Sequence, residues 1–370
     1  MKNKTKQNWL HWLADPVVFF YSCSWLLVLV AWGTVAQKWL GLYTAQQKFF
    51  ASWIFMAGPV PLPGGRLTMV VLFINLFVYL ILKRSLKNSP GLYITHLGAL
   101  LLLLGGFLTA YFSSEGTMVI KEGETARYVS DYHKRELILV KPGTKEDQVT
   151  AFAMGWLKAG EKLKHKSLPG TITVLESYSN CDVRKRDQQD PQFKGFGSQF
   201  EVFPLPDEPE HEKNMFGIVI SVTGFGSKSD GKYAIVEYMN EPASIGLFQC
   251  SLRKERTYLP FSLELLDFEK QLHPGTNMPR SFKSVVNLLE DGHKRRVVIQ
   301  MNEPLRHHGY TFFQSSFIEG SQADSTVLAA VKNYGRQFPY VSSIIMCAGL
   351  LIYLIQHVPT LIKNKRRKEV

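Results

Sequence analysis

Four stretches of the chain stay apolar for long enough to cross a bilayer, which takes about 20 helical residues at a rise of about 1.5 Å each. They are Val17–Gln37 (VVFFYSCSWLLVLVAWGTVAQ), Leu67–Leu82 (LTMVVLFINLFVYLIL), Asn88–Ser114, centred on LGALLLLLGGFLTAYF, and Gln337–Ile362, centred on YVSSIIMCAGLLIYLIQHV. None contains Asp, Glu, Lys or Arg. They predict spans at about 17–37, 67–83, 90–112 and 339–358, so that residues 1–112 and 339–370 form the membrane part. Residues 113–338 follow a different pattern. Leu259, Phe261, Leu263 and Leu265 alternate with polar positions in YLPFSLELLDF, the period of two of a half-buried strand. Similar short segments fall at 117–121, 135–140, 171–177, 216–223, 232–238, 283–289, 295–301, 309–317 and 325–332, separated by turn signals such as Pro142-Gly143, Asp230-Gly231 and Asp291-Gly292. Nothing shows the βαβ alternation of a parallel sheet. The expectation is an α-helical membrane protein of four spans carrying a large, mostly β domain, a sandwich or open barrel of one lobe or two.

Two segments fit neither pattern. Residues 38–66 are too apolar for an ordinary loop. A helix from Tyr43 to Met56 would lay Phe49, Phe50, Trp53 and Phe55 at the membrane interface, before Pro59, Pro61, Pro63, Gly64 and Gly65 break it. Residues 180–214 are charged and proline-bearing, and read as an insertion or mobile loop.

Charge then orients the spans. The chain has 43 Lys+Arg against 31 Asp+Glu, a net charge of +12, which taken alone suggests a nucleic-acid partner. Between Ser113 and Phe338, however, there are 29 of each, so the excess lies beside the apolar runs and a nucleic-acid role is excluded. Of the 14 flanking basic residues, 11 cluster in three segments: Lys2, Lys4 and Lys6; Lys83, Arg84 and Lys87; and Lys363, Lys365, Arg366, Arg367 and Lys368. Four spans put these three on one side, the cytoplasmic one, and put 113–338 outside. An anionic lipid surface is an alternative partner for these clusters. A cleaved signal ending at Thr34-Val-Ala36 is the other reading of the first run, but that run is long for a signal and its loss would leave three spans.

Chemistry-bearing motifs are few. The chain has no GxSxG, HExxH, phosphate loop or CxxC, so no catalytic residue is assigned. Cys23 and Cys347 lie in spans. Cys181 and Cys250 lie in the outer domain, where either a disulfide between them or two free thiols is open. Eight of the ten histidines (His11, His133, His165, His211, His273, His293, His307 and His308) stand outside the apolar runs and read as solvated, while His357 sits at the edge of the last run. His96 differs: it lies in Leu92-Tyr-Ile-Thr-His-Leu-Gly98, inside the longest run. An ionisable group there is costly and tends to face a bundle interior or a functional cavity. It would serve either as a haem-iron ligand or as a hydrogen-bonding partner between helices.

The chain resembles the ResB (CcsB) family, membrane subunits of system II cytochrome c biogenesis. The resemblance rests on Gly33-Thr-Val-Ala-Gln37, Gly41-Leu-Tyr-Thr-Ala-Gln46, Pro61-Leu-Pro-Gly-Gly-Arg-Leu-Thr68, His96-Leu-Gly98, Leu259-Pro-Phe261, Asn302-Glu-Pro-Leu305 and Gly309-Tyr-Thr-Phe-Phe-Gln-Ser-Ser316, and on three spans before and one after a large outer domain. It implies a bacterial cytoplasmic (inner) membrane location with both termini cytoplasmic. It also implies a CcsA (ResC) haem-handling partner, here expected as a separate chain, and a part in carrying haem across the membrane to apocytochrome c. The cofactor implied is haem b, with His96 as one axial ligand and the opposing ligand on the partner; the only metal contact is through the haem iron. Thiol-reducing proteins are further expected partners. Whether the chain is itself an enzyme stays open, since it would be a subunit of a haem-attachment complex without a catalytic motif of its own. The competing reading is a scaffold that stabilises the partner and never ligates haem. A transporter is disfavoured by the lack of repeats.

Overall fold

A computed structural model of the protein describes residues 9–82, 89–144, 146–239, 241–276, 279–320 and 323–368. The chain divides into two compact units, Met1–Ser114 with Lys332–Val370, and Glu115–Val331. The basic residues Lys2, Lys4, Lys6, Lys83, Arg84 and Lys87 lie outside the described residues.

The first unit holds four long helices: α1 (Pro16–Leu40), α2 (Gly65–Leu82), α3 (Pro90–Phe112) and α4 (Phe338–Lys368). All four contain a stretch long and apolar enough to cross a membrane. At the start of α1, the Asp15 carboxylate accepts the Val17 N–H at 2.9 Å and Pro16 occupies the first turn, where its missing donor costs nothing. Helices α3 and α4 pack through small residues. Gly91, Gly98 and Gly105 recur every seven residues and face Tyr353, Met346 and Phe338, while Gly349 answers from α4 against Thr95. A Cβ on Gly98 would stand 2.6 Å from Met346 Cγ, so the approach requires glycine.

The helix expected over 43–56 ends early. After Leu42–Ala45 and a single π turn at Gln46–Phe50, the chain forms a hairpin of β1 (Ile54–Ala57) and β2 (Val60–Pro63), with Ile54 opposite Pro63 and Ala57 opposite Val60. Ile54 and Met56 are exposed and Phe55 buried, a strand alternation that the aromatic run conceals in the sequence. Prolines are tolerated here because a two-stranded ribbon leaves outward-facing donors unpaired. Phe55 and Phe49 then pack with Leu29 and Ala45.

The second unit is the mostly β domain that the sequence predicts. Its strands are β3 (Ser114–Lys121), β4 (Thr125–Lys141), β5 (Gln148–Ala153), β6 (Lys162–Leu163), β7 (Thr171–Tyr178) and β8 (Cys181–Lys185). There follow β9 (Phe193–Lys194), β10 (Phe200–Pro204), β11 (Gly217–Thr223), β12 (Gly231–Val236) and β13 (Ala243–Ile245). The last six are β14 (Phe248–Leu272), β15 (Pro279–Glu290), β16 (His293–Gln300), β17 (Leu305–His307), β18 (Tyr310–Ile318) and β19 (Ser325–Lys332). The largest sheet runs β16-β15-β14-β4-β3-β19-β18-β17, with β13 added to β14 and β5 to β4; a second runs β6-β7-β11-β12-β9.

Two apolar cores resolve the one-or-two-lobe question in favour of two. Leu259, Phe261, Leu263 and Leu265 pack with Met118, Val286, Ile299 and Phe312 in the first; Leu137 and Leu139 pack with Ile172, Ile218, Ile220 and Cys250 in the second. The strands β4 and β14 run through both cores, with the register shifting between Lys254 and Arg256 and again between Tyr258 and Leu263. The segment 180–214 is not a loose insertion. β8 and β10 pair from Cys181–Pro204 to Lys185–Phe200 and bury Cys181 and Val202 against Ala234 and Val236. Its alternation was too short, and too mixed with charge, to stand out.

Candidate functional site

His96 sits on α3 about 9 Å along the axis from Pro90, at the helical rise of about 1.5 Å per residue. Its Nδ1 lies 2.8 Å from the Leu92 carbonyl oxygen. A carbonyl oxygen only accepts, so in the neutral ring Nδ1 carries the proton and Nε2 keeps the lone pair. Nε2 has no hydrogen-bond partner among the described residues. Backbone fixing of the other ring nitrogen is the arrangement by which proteins orient metal-ligating imidazoles.

The imidazole lines an open cleft of about 270 Å³ with Pro16, Phe19, Asn75, Leu76, Tyr79, Thr95 and Ala99. The Tyr79 ring stacks on it, with centroids 5.8 Å apart. Buried Asn75 on α2 donates to the Leu13 carbonyl at 2.5 Å and the Asp15 carbonyl at 3.0 Å, which fixes the start of α1 beside α2. The heptad glycines hold α3 from another side. Gly98, two residues and about 200° round the helix from His96, faces α4, so the imidazole and the helix contact occupy different faces. His96, Tyr79, Asn75 and the α1 terminus therefore line a largely apolar cleft with one imidazole, whose Nε2 is a nitrogen that could bind a haem iron. Tyr79 carries no sequence signal of its own; for Asn75 the one available signal was a polar amide within an apolar run.

A second and larger cavity, about 410 Å³, opens where α2 begins and α3 ends, lined by Phe50, Arg66, Met69, Phe73, Phe107 and Tyr111 among others. It is apolar apart from Arg66, whose guanidinium lies 5.2 Å from the Tyr111 ring centroid.

The cysteines of the β unit are not joined. Cys181 and Cys250 are both free and buried, in different apolar clusters. The Cys181 thiol donates to the Met215 carbonyl at 3.2 Å; burial, with Asp182 and Glu237 nearby, pushes it up to about 11. Burial alone pushes Cys250 up further. Neither is poised as a thiolate.

Four histidines expected to be solvated are engaged instead. His133 and His211 bring their Nδ1 atoms to 3.3 Å in a half-buried pair. His307 and His308 both place Nε2 on Glu290, at 2.8 Å from Oε2 and 2.5 Å from Oε1. His357 lies tilted against the Tyr353 ring, 4.3 Å between centroids.

Among known proteins, the ResB-like family model matches residues 216–346. This bears out the family resemblance over a stretch running from β11 to the start of α4, which holds the Leu259-Pro-Phe261, Asn302–Leu305 and Gly309–Ser316 motifs but not His96. Protein NrfI of Wolinella succinogenes is 25% identical over 288 residues, 77% of this chain and 29% of that protein. The chain thus spans under a third of the length of that curated relative.

Proposed function

From a chain that is ResB-like over residues 216–346, we propose a subunit of the cytochrome c biogenesis machinery, one that offers His96 as an axial ligand to haem b within the membrane. Were haem bound, His96 would be the residue that holds its iron, and the iron would supply a metal centre that accepts an imidazole nitrogen. The observation that carries this reading is the His96–Leu92 hydrogen bond, which leaves Nε2 as the accepting nitrogen of an imidazole that lines a largely apolar cleft. Around it, Tyr79 packs against the imidazole face and Asn75 fixes the floor at the start of α1. The close α3–α4 approach sets the rotation of α3 and so the direction of the imidazole.

The basic residues of the sequence at 83–87 and 363–368 support a reading in which the His96 end of α3 is on the cytoplasmic side of a bacterial inner membrane and residues 113–338 are outside. The second ligand and the remaining haem-handling surface belong to a CcsA (ResC) partner, and apocytochrome c is the acceptor. Thioether formation needs positioned haem vinyl groups and reduced thiols more than an acid–base pair.

The test is haem content. Full-length protein, purified with its partner, carries haem visible in its absorption spectrum, and His96→Ala lowers that content several-fold while leaving expression and partner recovery unchanged. Equal haem in the variant would overturn the ligand assignment and leave the scaffold reading.

A further inference from the structure

We propose that Glu290, His307 and His308 form a binding site for a divalent transition-metal ion in the outer domain. The site is built by two hairpins. Glu290 ends β15 and pairs with His293 across the two-residue turn Asp291-Gly292; His307 ends β17 and pairs with Tyr310 across His308-Gly309. Both central residues of each turn have positive φ, 47° and 78° in the first, 47° and 79° in the second, as tight hairpin loops of the primed kind require. A β-hairpin normally fills the first of these positions with Asn, Asp or Gly. His308 occupies it at some conformational cost and thereby swings its imidazole beside that of His307.

The three side chains converge on one point. Nε2 of His307 and of His308 each meet a different oxygen of the same carboxylate, and one ligand atom from each residue lies within 4.8 Å of the other two. Beneath them, the buried Phe261 ring sits 4.7 Å from the His307 ring and 5.9 Å from that of His308, centroid to centroid, which limits where the imidazoles can go. Above, His308 is half exposed and admits an ion from solvent.

Zinc bonds to imidazole nitrogen and carboxylate oxygen are about 2.0–2.2 Å, so tetrahedral ligand atoms stand about 3.3 Å apart. The ligand atoms of the triad already lie within 4.8 Å of one another, and binding an ion would bring them to that spacing. In the neutral rings the Nε2 protons move to Nδ1 and free both lone pairs for the ion. Two imidazoles and one carboxylate favour borderline ions of the zinc, iron and copper group over magnesium or calcium, and three ligands leave a coordination position for water or another donor.

Metal-stripped full-length protein in detergent, dialysed against Zn²⁺ and assayed by elemental analysis, should hold one zinc that His307→Gln/His308→Asn lacks. Asn suits the left-handed backbone at 308, so the variant keeps its hairpin. Each single change should weaken binding by at least about tenfold, the lower bound seen when even an outer-shell partner of a metal site is lost. His133→Gln should leave the affinity unchanged, which separates this site from the other histidine pair. Zn²⁺ should also shield His307 and His308 of the unmodified chain from diethylpyrocarbonate, a readout independent of any variant's folding. Equal zinc in the double variant, or no shielding, overturns the proposal.

Discussion

Two half-buried imidazoles make the β unit sensitive to acid. Burial is the largest cause pushing His133 and His211 below their ordinary 6.5, and Arg135 acts on both in the same direction. Folded, the pair prefers to be neutral; unfolded, each ring takes up a proton near 6.5. Below that value the unfolded chain binds more protons, so stability is present above about 6.5 and declines as pH falls. The melting temperature should drop between about pH 7 and about pH 5, and His133→Gln/His211→Gln should flatten that dependence; an unchanged slope in the double variant would refute the assignment. The sequence marks His96 because an ionisable group stands out in an apolar run. It cannot mark His133 or His307, whose partners lie 78 and 17 positions away and meet them only through sheet topology.

At the scale of elements, the heptad glycines make a sharp comparison. Gly91 and Gly98 face α4 with no room for a side chain, whereas a Cβ on Gly106 of the same helix meets nothing within 4 Å. Gly98→Val should cost about 1–3 kcal/mol through overpacking, and Gly106→Ala should be neutral or gain up to about 1 kcal/mol from helix propensity. Thermal unfolding in detergent checks both, and equal effects would contradict the packing. The four helices were legible because their apolar runs are long enough to span a bilayer, and the long strands because their alternation persists over many residues. The β1–β2 hairpin was not, since an aromatic run over 49–55 satisfies a helical and a strand pattern alike until the prolines are placed in register. The β8–β10 pair was hidden for a related reason: its apolar positions are few, and they are buried only because Ala234 and Val236 lie beneath them.

For the molecule as a whole, the two β lobes share their longest strands, so neither core can dissolve without disturbing the backbone of the other. Beside the shared strands, Arg135 Nε meets Glu237 Oε2 at 3.1 Å, with both side chains 2% exposed. Removing one partner strands a buried charge at a cost of about 3–5 kcal/mol. Residues 115–331, produced alone, should unfold in a single transition in which amides of β11 and β15 lose hydrogen-exchange protection together, and Glu237→Ala should lower that transition without splitting it. Two separate transitions would show the lobes to be independent. Sheet order adds a constraint of another kind, one of time. β3 is the first strand of this domain to be made and β19 the last, yet they are neighbours in the sheet. At a synthesis rate of about 5–20 residues per second, the free edge of β3 waits roughly 10–40 s for its partner. During biosynthesis the nascent domain therefore carries an open hydrogen-bonding edge on β3 until β19 has been made.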